Sequence, residues 1–237
     1  MVGPLMLAAA TAGNTKLFIS TLEYIQNINF EDGRKETALH KASSGGYNDI
    51  VQLLLTKGAS IEATDKDTET PLHFAAQNGR ASTVELLLKN GAPIEAMNNN
   101  NGTPLHVAIT GNIFGGRTRM VKLLLEKSAL TEAMNKDGHT PLHLAARHGY
   151  PDAVELLLAK GASTEATDRN DDTPLHLAIL ERHTRVVELL LRKGASIEPI
   201  NTYNYTPLDY AAQIGDTRIF QLLKDKDAEP VTHGNRA

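Results

Sequence analysis

The sequence predicts an all-helical repeat array, and three observations support this fold class. The motif Thr-Pro-Leu-His, or a close variant, occurs six times, beginning at Thr37, Thr70, Thr103, Thr140, Thr173 and Thr206. Successive copies begin 33, 33, 37, 33 and 33 residues apart, and a fixed period of this size is typical of a solenoid. Threonine recurs at a fixed place in all six periods and proline and glycine in most of them, and together they predict two short helices per unit.

Residues 70–102 show how one unit is built. Thr70 suits the N-cap of an inner helix, and Pro71 suits its first position, where a missing N–H costs nothing. Gly79 is expected to reverse the chain with a positive φ before an outer helix that is apolar on more than one side. Lys89 and Gly91 are expected to close that helix, and the segment after it turns outward as a finger.

The motif and its spacing resemble the ankyrin repeat from about residue 4 to about residue 228. The resemblance implies a single domain over residues 1–228, with about seven helix-turn-helix units and β-hairpin-like fingers. The expected units are an amino-terminal cap, five repeats, the third with a four-residue insertion, and a carboxyl-terminal cap: 4–36, 37–69, 70–102, 103–139, 140–172, 173–205 and 206–228. Residues 229–237 lack periodicity and are expected to be disordered.

The ends differ from the interior, as an array that must cover its outermost faces requires. Phe18 stands in the expected outer helix of the first unit, and polar Thr21 occupies the position of Leu54. In the last unit Asp209 replaces the motif histidine. Capped ends favour a monomer.

Composition excludes several classes of function. The formal net charge is only −4, so no strong field favours nucleic acid or an anionic membrane. The absence of cysteine excludes disulfides and thiolate chemistry, and no stretch has the ~20 apolar residues that a membrane span needs. A cytoplasmic or nuclear protein is expected.

The motif histidines look at first like a metal or catalytic row. Copies are expected about 10 Å apart, too far to share a metal with bonds of ~2 Å. The resemblance implies that each one bonds backbone and the threonine hydroxyl of neighbouring hairpins. No nucleophile, phosphate loop or metalloprotease motif is present, so we expect no catalytic residues, no metal, no cofactor and no enzyme activity.

A row of glutamates follows the outer helices where ankyrin repeats commonly have asparagine: Glu62, Glu95, Glu132, Glu165 and Glu198. At ~10 Å spacing their repulsion in water is only about 0.4 kcal/mol per pair, so stability permits the row. Two interpretations stay open, a solvated turn residue copied with the repeat and an acidic track for a basic partner.

Ankyrin proteins usually bind partners through finger tips and the solvent-facing side of the inner helices. The carboxyl-terminal half of this surface is the richer half. Aromatic and arginine residues are typical of binding hot spots, and an apolar patch with a basic edge indicates an interaction site. The residues expected to form a partner site are Arg147, His148, Arg169, Leu180, Tyr203, Tyr205 and Ile214. Alternatively, the two tyrosines only cover the last finger.

The four-residue insertion gives a second candidate site at Ile113 and Phe114. It either lengthens the inner helix by about one turn or forms a loop. Arg182 replaces the turn glycine of its unit, so that turn is expected to be strained or differently shaped.

The sequence therefore predicts a non-catalytic adaptor or scaffold that binds a protein or peptide on its concave face. Two other functions stay open. One is the recognition module of a longer effector or enzyme, and the other is a structural or designed array without a natural ligand.

Overall fold

The computed structural model describes residues 2–111 and 116–227. Within these ranges it contains helices and turns but no strand. The fourteen helices are α1 Val2–Ala12, α2 Thr15–Leu22, α3 Ala38–Gly45, α4 Asn48–Thr56, α5 Pro71–Gln77, α6 Ala81–Lys89, α7 Pro104–Thr110, α8 Arg117–Glu126, α9 Pro141–Arg147, α10 Pro151–Ala159, α11 Pro174–Leu180, α12 Thr184–Arg192, α13 Pro207–Ile214 and α14 Thr217–Asp227. None of them is long and apolar enough to cross a membrane.

The chain divides into two compact units, Met1–Lys136 and Asp137–Ala237. In the first unit, inner helices α1, α3, α5 and α7 pack side by side, and outer helices α2, α4, α6 and α8 do the same behind them. In the second unit, α9, α11 and α13 form the inner row, and α10, α12 and α14 form the outer row. Helix pairs therefore stack in chain order within each unit. One continuous domain over residues 1–228 stays a prediction.

The inner helices begin where the motif predicts. All six motif threonines are N-caps with extended backbone, and proline occupies the first turn in every copy except the first, where Ala38 stands. The first turn is thus shaped by fixed φ and by a side chain that satisfies free backbone groups.

The predicted turn residues also adopt the expected backbone. Gly79 has φ 70° and Gly91 has φ 91°, both in the left-handed region. Arg182 takes φ 60° at the position of Gly79 in its own repeat, and its guanidinium donates to the Ile214 carbonyl at 2.7 Å. The turn therefore keeps the shape of its equivalents, at the cost of a left-handed conformation in a residue with a Cβ.

The core consists of small and branched residues at repeated positions. Leu72, Ala75 and Ala76 of α5 and Val84 and Leu87 of α6 are fully buried. Small alanines let the inner helices approach closely, whereas leucine and valine fill the space between the two rows.

The amino-terminal pair departs from this pattern. Phe18 of α2 is fully buried, and buried Thr21 donates its hydroxyl to the Phe18 carbonyl at 2.6 Å. One large side chain thus replaces the leucine pattern of the other outer helices.

The fingers are tight turns. In the second finger the Asp65 amide donates to the Glu69 carbonyl at 3.1 Å, and Asp65 Oδ1 accepts from the amides of Asp67 and Glu69. Asp32, Asn98, Asp168 and Asn201 cap their own fingers with the same two backbone bonds. Neighbouring fingers are joined by single backbone bonds, such as Lys66 N to Arg34 O at 3.0 Å.

The insertion leaves the described part of its inner helix unchanged in length. Helix α7 ends at Thr110 after seven residues, as α5 ends at Gln77 after seven. Ile113 and Phe114 lie outside the described residues, as does the predicted tail 229–237.

Candidate functional site

The motif histidines are hydrogen-bonded into the repeat framework. Nδ1 of His40 accepts from the Thr37 amide at 3.1 Å and lies 2.9 Å from the Thr37 hydroxyl, while Nε2 lies 3.0 Å from the Glu69 carbonyl. His73 and His143 repeat this arrangement with the carbonyls of Gly102 and Asp172. Because Nδ1 accepts a backbone N–H, the ring proton lies on Nε2 and is donated to the next finger.

This geometry corrects one detail that the resemblance implied. The hydroxyl that each histidine contacts belongs to the threonine of its own motif, and only the carbonyl comes from the neighbouring finger. His176 keeps the contacts of its Nδ1 with Thr173, but among the described residues no group lies within hydrogen-bond distance and angle of its buried Nε2. Asp209 keeps half of the pattern, accepting from the Thr206 amide and hydroxyl.

The histidines are poor candidates for acid–base chemistry near neutral pH. Burial lowers the pKa of His40, His73 and His176, and it lowers the pKa of His143 to about 4. A general base works best with a pKa near the operating pH.

A second set of polar contacts links neighbouring fingers and was not predicted. At three steps of the array the residue before a motif threonine pairs with the capping Asp or Asn of the next finger, and we call these three pairs the finger ladder. Its described pairs are Glu69–Asn98 at 3.1 Å, His139–Asp168 at 3.2 Å and Asp172–Asn201 at 2.7 Å. Each pair matches a donor with an acceptor.

The glutamate row has a structural role at two of its positions. Glu95 Oε1 accepts from the Leu130 amide at 2.9 Å, and Glu165 Oε1 accepts from the Ser196 amide at 3.0 Å. Asn29 occupies the same position in the first repeat, and its side chain accepts from the Ser60 amide at 2.8 Å. At these three positions the side chain therefore links its own loop to the next loop. Neither of the two interpretations of the glutamate row that the sequence left open included this role.

This role predicts a difference between two glutamates of the row. Glu165→Ala should lower the free energy of unfolding by about 1 kcal/mol, because the Ser196 amide loses its acceptor, whereas Glu165→Gln should keep it. Glu62→Ala is the matched control, since the equivalent donor position is Pro93, which has no N–H. Urea unfolding measures all three variants. A similar loss for Glu62→Ala and Glu165→Ala would show that the hydrogen bond is not the cause.

The fingers and the exposed ends of the inner helices face a common groove in the first unit. A groove of about 540 Å³ there is lined by Arg34, Glu36, Asp65, Asp67, Glu69, Phe74, Gln77, Asn98, Asn99 and Asn100. Gln77 comes from helix α5 and Asn100 from the finger that follows it. The repeat step relates Gln77 to Leu180 and Asn100 to Tyr203.

The predicted partner-site residues of the second unit lie on three consecutive helix pairs. Leu180 ends α11 with 43% of its surface exposed, and Tyr203 lies on the last finger, 61% exposed. Arg147 ends α9, and its Nε lies 3.7 Å from Glu181 Oε1, just beyond α11. Exposed Arg169 donates its amide to the Asp137 carbonyl on the preceding finger.

The other predicted residues are engaged in packing to different degrees. The Tyr205 ring is half-buried and stacks on Tyr210 at 5.3 Å between ring centroids. His148 is exposed and stacks on Tyr150 at 5.8 Å. Ile214 is half-buried at the end of α13. The alternative that the two tyrosines only cover the last finger therefore describes Tyr205 better than Tyr203.

Comparison with known proteins agrees with the helix pairs and the motif contacts. A family model described as ankyrin repeats (3 copies) matches residues 5–98, 83–168 and 164–233. The structure is similar to the crystal structure of the ankyrin repeat domain of Bcl-3, a unique member of the IkappaB protein family, with a TM-score of 0.80 and 29% sequence identity. That similarity covers 93% of this chain and 97% of the other. No curated protein sequence matches the chain.

Proposed function

Because this chain belongs to the ankyrin-repeat family, we propose that it is a non-catalytic scaffold that binds a protein or peptide on the fingers and inner-helix ends of its second unit. Ankyrin-repeat domains are typically protein–protein interaction modules and are usually non-catalytic. The motif residues hold the repeats together, so recognition falls to the positions that vary between repeats.

The exposure of Tyr203 and Leu180 carries this proposal. A tyrosine 61% exposed and a leucine 43% exposed stand at the positions that line the groove as Asn100 and Gln77 in the first unit. Aromatic and apolar side chains in such places gain most from burial by a partner. Arg147 and exposed Arg169 add positive charge to the same surface. This charge favours a partner segment in which acidic residues flank apolar ones.

The test uses a phage-displayed random peptide library selected on the intact chain. Enriched peptides should bind the double variant Tyr203→Ala and Leu180→Ala at least about tenfold more weakly, because the aromatic and apolar area that the peptide would bury is lost. The matched control is Met97→Ala with Leu130→Ala, which truncates two residues that are 55% and 59% exposed on other loops.

Helical circular dichroism of both double variants should equal that of the parent, because all four side chains are exposed. Equal binding to the parent and to the Tyr203 and Leu180 variant would place recognition elsewhere. An equal loss in both variants would show only a general effect of apolar surface.

A further inference from the structure

A second groove lies on the outer helices of the second unit. It has a volume of about 570 Å³, and the side chains that line it come from α12 and α14. These two helices pack directly on each other. We call this feature the outer-helix groove, because its lining belongs to the outer row and not to the fingers or the inner helices.

The outer-helix groove runs along its two helices. On α12 the lining includes Arg185, Glu188 and Arg192, which are three and seven residues apart on one helical face. On α14 it includes Leu222 and Lys226, which are four residues apart. With a rise of 1.5 Å per residue, the two arginines lie about 10 Å apart along the helix axis. The groove is therefore a furrow about two helical turns long.

The floor of the furrow is apolar. Leu191 of α12 is buried, with 7% of its surface exposed, and Leu222 of α14 is half-buried. Leu222 thus leaves apolar area in contact with water that a partner can cover, and covering such area favours binding.

The charges of the furrow favour an anionic partner. Exposed Arg185 and Arg192 form no ion pair with a residue that the structure describes. Of the two carboxylates in the lining, Glu188 is already paired, since the guanidinium of Arg218 donates to its Oε1 at 2.9 Å. Asp225 is then the only unpaired carboxylate of the lining, against three cationic side chains.

The arginine pair is a property of α12 and not of the repeat. In α10 the equivalent places hold Asp152 and Ala159, and no other outer helix has two basic residues there. The stacking of the outer helices therefore does not require Arg185 and Arg192. They stand at positions that vary between repeats, where recognition residues are expected.

A helix is the partner element that fits this furrow best. A third helix packs readily into the furrow between two packed helices, and amphipathic helices bind apolar grooves in this way. Acidic side chains seven residues apart on such a helix repeat the spacing of Arg185 and Arg192. Guanidinium groups bind carboxylates with two parallel hydrogen bonds, and an apolar face between the acidic edges can cover Leu222.

We propose that the outer-helix groove binds an acidic amphipathic helix of a protein partner, with carboxylates on Arg185 and Arg192 and an apolar face on Leu222. This site goes beyond the proposed function, because it lies on the outer helices. It does not depend on the surface of Tyr203 and Leu180.

The test measures peptide binding to the full chain by fluorescence anisotropy. The probe is a fluorescein-labelled peptide of about 20 residues, with leucine and alanine along one helical face and glutamate on both edges of that face. Arg185→Ala combined with Arg192→Ala should weaken binding at least about fivefold, because two charge-assisted contacts are lost. Alanine suits both places, since it is the best helix former and already stands at 159.

The matched control is Lys127→Ala with Lys160→Ala. It removes the same amount of charge from exposed residues that end the outer helices α8 and α10. Affinity should stay within about twofold of the parent, and both double variants should keep the helical circular dichroism of the parent. A second probe, in which lysine replaces every glutamate, should bind the parent at least about tenfold more weakly.

Five results would overturn the proposal. They are absence of binding of the acidic probe to the parent, unchanged affinity in the arginine variant, an equal loss in the lysine control, equal affinity of the lysine probe, and equal affinity of hexaglutamate, which would show charge attraction without use of the apolar floor. Loss of the acidic probe in Tyr203→Ala with Leu180→Ala, and not in the arginine variant, would assign the probe to the finger surface instead.

Discussion

Acidification from pH 7 to pH 4 is expected to lower the free energy of unfolding by about 3 kcal/mol through His143 alone. Burial lowers the pKa of this imidazole from 6.5 to about 4. The unfolded chain therefore binds a proton across this window that the folded chain does not. The stabilisation is fully present above pH 6.5 and is lost as pH falls towards 4.

The other buried histidines add to this loss. Burial also lowers the pKa of His40, His73 and His176, so each favours unfolding as acid increases. Two carboxyls act in the opposite direction, because burial raises the pKa of Glu69 and Asp172 and their protonation relieves the folded state. This opposing effect grows as the pH falls through the raised pKa values of the two carboxyls.

Urea unfolding at a series of pH values measures the slope of the free energy of unfolding against pH. The variant His143→Gln cannot titrate, so its stability should depend less on pH between 7 and 4 than that of the parent. A slope in His143→Gln equal to that of the parent would remove His143 as the cause.

Phe18→Ala is expected to cost about 3–5 kcal/mol in the first helix pair, the usual range for a large core side chain. Phe18 is fully buried in α2, which packs on α1 and α4. In a stacked array each pair is stabilised by its own core and by its neighbours, so the loss should stay local.

Hydrogen exchange followed by mass spectrometry distinguishes this local effect from global unfolding. Amides of α1 and α2 should lose protection, while those of α9 to α14 should keep it. Ile19→Ala lies on the same helix at a position 52% exposed and should change stability by less than about 0.5 kcal/mol. Equal loss of protection in both units would contradict the local packing role of Phe18.

The helices could be predicted from sequence because their signals are local and repeated. Thr70, Pro71, Gly79 and Gly91 act on their own turns, and the structure confirms the cap, the first-turn proline and both left-handed glycines. At Arg182 the residue type alone was a poor guide to the backbone. The turn keeps the left-handed conformation although arginine replaces glycine there.

The contacts between fingers could not be predicted in the same way. The finger ladder joins residues 29 positions apart, and its pairs change from Glu69–Asn98 to His139–Asp168 and Asp172–Asn201, so no single pair of residue types repeats along the chain. The partner of Glu165 is a backbone amide, which leaves no trace in composition. Each contact becomes visible only when successive repeats are placed side by side.

The candidate site was partly accessible from sequence. The repeat step identifies the variable positions, but it does not give exposure. Tyr203 and Tyr205 are two residues apart, yet one ring is 61% exposed and the other stacks on Tyr210.

The central claim is that the motif residues hold the repeats together and leave recognition to the positions that vary. Nitrogen-detected NMR of the histidine rings tests this claim most directly. Between about pH 5 and 8, where an ordinary histidine titrates, His40, His73 and His143 should each stay neutral over most of the range with the proton on Nε2. A titration midpoint near 6.5, or a proton on Nδ1, would contradict their place in the framework and return them to the candidates for function.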